Sequence, residues 1–235
     1  MPKTSVSSAR VKDVLSSLKR ASTKKTLDSL PRYGITTDKA MGVSVGDIQA
    51  IARRLGRDHQ LAEAIWATGW YEARLLTAFI DEPERVTPAQ MDRWCRDFDN
   101  WGITDTVCFH LFDRTPHAWT KINKWHDSRA EFVKRAAFAL LASVALHDKK
   151  ERDARFIESL VLIERAALDD RNFVKKGVSW ALRLIGRRNQ ALNADAIALS
   201  RRLAASDQPA ARWIGRGAVK ELTSPLVIRR LAARH

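Results

Sequence analysis

Apolar residues recur at spacings of three and four along most of the chain, and strand-like alternation flanked by hairpin signals is missing. VSVGDIQAIARRLG, LAEAIWATG and YEARLLTAFI predict three short helices in succession, and PAQMDRWCRDF and the opening stretch predict two more. AEFVKRAAFALLASVALHD, residues 130–148, is the most apolar long helix. ARFIESLVLIERAALDD, NFVKKGVSWALRLIGRR, ADAIALSRRLAASD and ARWIGRGAVKELTS follow it. The breaks between them, such as DEPERVTP, HDKKERD and LDDRN, are short, and Asp, Asn, Ser or Thr often stand where an N-cap would. Short connections place consecutive helices antiparallel and side by side. The pattern therefore predicts an all-α protein, either helix pairs stacked as a solenoid or a compact irregular bundle.

Charge narrows the class of partner. The 235 residues include 41 Lys and Arg against 27 Asp and Glu, a formal net charge of +14. A folded protein this basic is expected to meet a polyanion, nucleic acid first and an acidic membrane surface second. The first 40 residues hold nine Lys and Arg against three acids. They read as a basic N-terminal segment of one or two helices with a less ordered connection around LPRYGITTDKAMG. The two cysteines, Cys95 and Cys108, make no disulfide framework, and with six scattered histidines they make no zinc site. No apolar run reaches membrane-spanning length, and the N-terminus lacks an apolar export core. A cytoplasmic protein is expected, with no membrane partner, metal or cofactor.

Three stretches carry candidate chemistry. In DNWGITDTVCFHLF, Trp101 and Asp105 lie four apart, so a helix puts them on one face, and Gly102 is expected to keep the surface beside Trp101 shallow enough for a ligand. Packing aromatic and surface acid is the plainer alternative. In the apolar helix after Ala130, Lys134 and Arg135 are the only mid-helix charges and must be paired or reach an opening. In FVKKGVSWALRLIGRR, Lys176, Trp180 and Arg183 share a face, as suits a phosphate chain with a sugar or base beside it, or equally the edge of a core that ends at the solvent. Arg212, Trp213 and Arg216 could grip phosphates near the C-terminus. Trp66, Trp70, Tyr71, Glu72 and Arg74 crowd one region that is expected to be partly structural, and Trp119 and Trp125 are expected to fill gaps. There is no nucleotide-binding glycine loop, HExxH or nucleophile elbow.

Taken in order, EAIWATGWYEARLLTAFI, DNWGITDTVCFHLF, FVKRAAFALL and NFVKKGVSWALRLIGRRN resemble the DNA alkylation repair glycosylases of the AlkD type, over roughly residues 40–220. The resemblance implies a right-handed-type superhelical solenoid of HEAT-like repeats with a basic concave face. Residues 41–235 would form the DNA-binding and catalytic region, continuous with the segment 1–40. It implies a monomeric, monofunctional glycosylase that acts on duplex DNA, hydrolysing the N-glycosidic bond of cationic alkylated purines such as N3-methyladenine and N7-methylguanine to initiate base excision repair. Trp101, Asp105, Arg135 and Trp180 match the family's catalytic positions, and Lys176, Arg183, Arg187, Arg212 and Arg216 are the expected DNA contacts. A cationic purine leaves without a general acid, so the protein's task is to stabilise charge developing on the sugar. Asp105 would do so and hold the attacking water, Trp101 and Trp180 would face the sugar, and Arg135 would orient Asp105 or hold a phosphate. The competing readings are a non-catalytic HEAT-like protein that recognises distorted or branched DNA, and a helical-repeat protein that binds other proteins.

Overall fold

The apolar stripes become helices throughout. The computed structural model describes residues 8–233, and among them the chain forms fourteen α-helices, two 3₁₀ turns and no strand. Side-chain caps close many of the N-termini: Ser44, Asp58, Thr87, Asn100, Asn189 and Ser224 each accept from a backbone N–H three residues on. The chain divides after Pro116 into two units, Met1–Pro116 and His117–His235.

The first unit holds α1 (Ser8–Arg20), α2 (Lys24–Ser29), a 3₁₀ turn (Leu30–Tyr33), α3 (Val45–Leu55), α4 (His59–Trp66), α5 (Tyr71–Ile80), α6 (Pro88–Arg96), α7 (Trp101–His110) and a closing 3₁₀ turn (Phe112–Arg114). Helix α5 is buried along nearly its whole length, including Leu75, Leu76 and Ile80, and packs on α3, α4 and α7. Helix α1 lies on α3, α4 and α5, burying Val14 and Leu18, so the basic N-terminal segment is part of this unit's core. The stretch 39–43 is tied down by Glu72, a fully buried carboxylate that accepts from the N–H groups of Met41 (2.9 Å), Gly42 (2.7 Å) and Val43 (3.3 Å). Trp66 stacks on Trp94 at 4.1 Å, donates to Asp97 at 2.8 Å and carries the Arg74 guanidinium over its ring, so that aromatic cluster is core.

The second unit holds α8 (Ala118–Trp125), α9 (Glu131–His147), α10 (Asp153–Ala166), α11 (Asn172–Ile185), α12 (Gln190–Ala204), α13 (Pro209–Leu222) and α14 (Pro225–Ala232). Helix α9 is buried from Arg135 to Ala145 because α8 and α11 cover it. The row α9, α11, α13 packs in sequence, with α10 and α12 packed together behind it, which is the layering of stacked helix pairs. Trp125 is buried and Trp119 packs edge-on to Phe156 at 5.3 Å, as gap fillers do. Helix α14 escapes the periodicity reading because its eight residues hold a single buried pair, Val227 and Leu231.

Two glycines on α13 have opposite surroundings. A Cβ on Gly215 would lie 2.2 Å from the Ala204 nitrogen and 2.5 Å from the Ser200 carbonyl oxygen, so α12 and α13 touch backbone to backbone there. A Cβ on Gly217 would meet nothing within 4 Å. Gly215→Ala is therefore expected to destabilise the protein by about 1–3 kcal/mol or more. Gly217→Ala should leave it unchanged or raise stability by roughly 0.5–1 kcal/mol. Denaturant melts of the two variants check the contrast.

Candidate functional site

Trp101 is the first residue of α7, immediately after the Asn100 cap, whose side-chain oxygen accepts from Ile103 N–H at 3.0 Å. Its indole N–H donates to the Tyr33 carbonyl at 2.7 Å, so the 3₁₀ turn of the N-terminal segment fixes the ring. Asp105 follows one turn later, and both side chains are half-buried. Gly102 does not serve a ligand as the sequence suggests. It is buried, and a Cβ there would lie 2.6 Å from the Tyr71 hydroxyl and 3.3 Å from Ile35, so glycine admits protein, not substrate. Burial, with Glu72 and Asp99 nearby, pushes the Tyr71 phenol well above its ordinary pKa, so it stays a neutral packing group.

In the second unit the two mid-helix charges of α9 are both engaged. Lys134 pairs with Asp169 at 3.0 Å. Arg135, 6% exposed, donates to the Phe173 carbonyl at 2.6 Å and so grips the first turn of α11. Gly177 lets the helices close, since a Cβ there would sit 3.4 Å from Arg135 Cγ. Trp180 is half-buried one turn further along α11.

The expected DNA contacts divide in the same unit. Arg183 and Arg212, Arg216 meet along a groove of about 610 Å³ between α11 and α13, together with Trp213, Gly217 and Lys220. Lys176 is exposed on α11 outside the groove lining. Arg183 bonds Glu221 at 2.8 Å, and Arg187 reaches the same carboxylate at 3.5 Å. Arg212 donates to the Ser206 carbonyl at 3.1 Å. In the first unit a smaller hollow of about 420 Å³ is lined by Gln49, Arg53, Gly56, Arg57, Phe79 and His110. Among the described residues no group of His, Cys, Asp and Glu could hold a metal ion, and no helix is long and apolar enough to cross a membrane.

A family model described as "DNA alkylation repair enzyme" matches residues 14–222. The chain belongs to the DNA alkylation repair enzyme family. A solved structure described as "a new family of proteins related to the HEAT-like repeat DNA glycosylases with affinity for branched DNA structures" superposes with a TM-score of 0.78 at 18% identity, covering 94% of this chain and 95% of that one. That likeness establishes the fold as all-α with HEAT-like repeats. Two designed armadillo repeat proteins superpose at TM-scores of 0.37 and 0.34, each 13% identical, over 80% and 77% of this chain and 91% and 95% of theirs. No curated protein matches the chain.

For this member of the DNA alkylation repair enzyme family, sequence reading passes over Lys220, Arg53 and Arg57, although the run RRLGR and the i,i+4 spacing of Arg216 and Lys220 mark them. It also passes over Glu221, which no local pattern links to an arginine 38 residues away. The seam that carries Arg135 depends on Asp169. Two bonds from Arg171, at 2.9 and 2.6 Å, and the Lys134 ammonium outweigh burial and hold that carboxyl at about 2, against 3.8 ordinarily. Its side chain is 12% exposed, so little of this is screened. A depressed carboxyl stabilises the fold above its unfolded pKa, and the contribution is lost as pH falls through the folded value. Asp169→Asn should therefore cost on the order of 2 kcal/mol at pH 7. The gap between variant and native in denaturant melts should close as pH falls from about 4 towards 2.

Proposed function

We propose that this protein binds DNA whose duplex is distorted by damage or by a branch. The groove between α11 and α13 carries this reading: Arg212, Arg216 and Lys220 line it, and no acid pairs with them among the described residues. Glu221 engages Arg183 and Arg187 instead. Unpaired cations on neighbouring turns suit successive phosphates, and each phosphate neutralised releases counterions. The fold it shares with a protein described as having affinity for branched DNA supports the same class of ligand here. Affinities for a three-way junction and for a linear duplex of equal length, across a range of salt, test it. The junction should bind more tightly, and log K should fall with log salt by roughly 0.9 for each phosphate contact. Arg216→Ala should flatten that slope by about one contact. A native protein with no salt dependence, or with equal affinity for both DNAs, overturns the reading.

A second reading, excision of cationic alkylated purines, is favoured by the Trp101–Asp105 turn. An indole pinned by its N–H to Tyr33 keeps its ring in place, and a carboxylate one turn away on the same face offers negative charge to a sugar losing its base. The cationic base departs with the bonding electron pair and becomes neutral, while the positive charge passes to the deoxyribose. Asp105 stabilises that charge and orients the water that attacks the sugar carbon, and the proton this water loses passes through the carboxylate to solvent. The roles that the AlkD-type resemblance gives Arg135 and Trp180 belong to the same proposal. Asp105→Asn should lower single-turnover release of N7-methylguanine from methylated duplex by on the order of 10²-fold, with DNA binding retained. If native protein releases no base above a protein-free control, this reading is wrong while the binding reading stands.

A further inference from the structure

The groove between α11 and α13 contains more than phosphate-binding charge. Trp213 is 48% exposed, although Ala210, Ala211, Ile214, Ala218 and Leu222 of the same helix are buried. The Lys175 ammonium lies 5.1 Å from its ring centroid, which holds the indole by a cation–π contact without covering it in hydrocarbon. Beside it the lining shrinks: Ser179 is small, and Gly217 leaves open the space a side chain would take. At about 610 Å³ the groove falls within the roughly 300–1,000 Å³ of sites that enclose small organic ligands. Arg212, Arg216 and Lys220 line the same space and give it a strongly positive character.

We infer that this groove receives an unpaired nucleotide, its base stacked on Trp213 and its flanking phosphates held by Arg212, Arg216 and Lys220. The inference rests on the DNA-binding reading and narrows it. A matched duplex keeps the faces of its bases covered by their neighbours, so it can offer this groove phosphates and nothing for the indole. A flap, a bulge or the strand at a branch offers both. Stacking on an aromatic side chain accepts any base because every base has a π-face. The groove thus favours DNA that carries a loose nucleotide, whatever its sequence.

Three DNAs separate the possibilities by fluorescence anisotropy: a matched duplex, the same duplex with a short single-stranded flap, and that flap built without bases. Native protein should bind the base-bearing flap about tenfold or more tightly than the baseless one. Trp213→Ala should bring that ratio close to one, and Trp213→Phe should restore most of it. Gly217→Leu keeps every cation and fills the groove, and it too should collapse the ratio. Thermal melts confirm that each variant is folded. A native ratio of one, or a ratio unchanged in Trp213→Ala, overturns the inference, while tighter binding of both flaps than of the matched duplex upholds the broader reading. A free mononucleotide that competes as well as the flap also overturns it. Failure to bind any of the three DNAs removes the DNA-binding reading itself.

Discussion

A buried carboxylate satisfied by backbone amides sets the position of the aromatic group in the first unit. Glu72 would be costly to bury alone, but it accepts from three successive N–H groups, of Met41, Gly42 and Val43. Those bonds draw residues 41–43 onto α5, and Tyr71 N–H adds a bond to the Lys39 carbonyl at 2.8 Å. Gly42 makes the approach possible, since its φ of 83° disfavours a side chain and a Cβ there would lie 2.5 Å from the Thr23 carbonyl oxygen. The 3₁₀ turn that precedes this stretch then presents the Tyr33 carbonyl to Trp101. The N-terminal segment, whose connection around LPRYGITTDKAMG reads in sequence as less ordered, supplies the bond that orients the candidate indole.

The second unit reaches comparable order by apolar means. Helix α9 is buried on nearly every side, and its two mid-helix charges are taken up at the start of α11, Lys134 by Asp169 just before the helix and Arg135 by Phe173 in its first turn. Asp169 also holds Arg171, whose guanidinium reaches the Arg129 carbonyl at 2.7 Å. A small cluster of polar bonds therefore fixes the register of two helices whose apolar surfaces alone would allow sliding.

The basic excess of the chain is unevenly available. Acids tie down Arg93, Arg155, Arg183 and Arg202, and these pairs cancel much of the local field. Where Arg212, Arg216 and Lys220 come together, the field is left uncancelled beside a half-bare indole. Net charge indicates a polyanion, but the pairing pattern decides where one can bind.

The sequence by itself determined most of the helices, many of their caps, and the pairing of Trp101 with Asp105 on one face. Each of these depends on residues within one or two turns, where the 3.6-residue period and the N-cap preference act directly. It also marked Arg212, Trp213 and Arg216 as a basic aromatic patch. Tertiary structure alone decided what those residues face. The Tyr33 carbonyl stands 68 residues from Trp101, Glu221 stands 38 from Arg183, and the Tyr71 hydroxyl fills the space beside Gly102 that sequence reading leaves to a ligand. The same structure opens the space beside Gly217 and closes it beside Gly215, two residues away on one helix. A side chain's neighbours along a helix follow from its spacing, whereas its neighbours across a packed interface follow from how whole helices approach one another, and no local pattern encodes that distance.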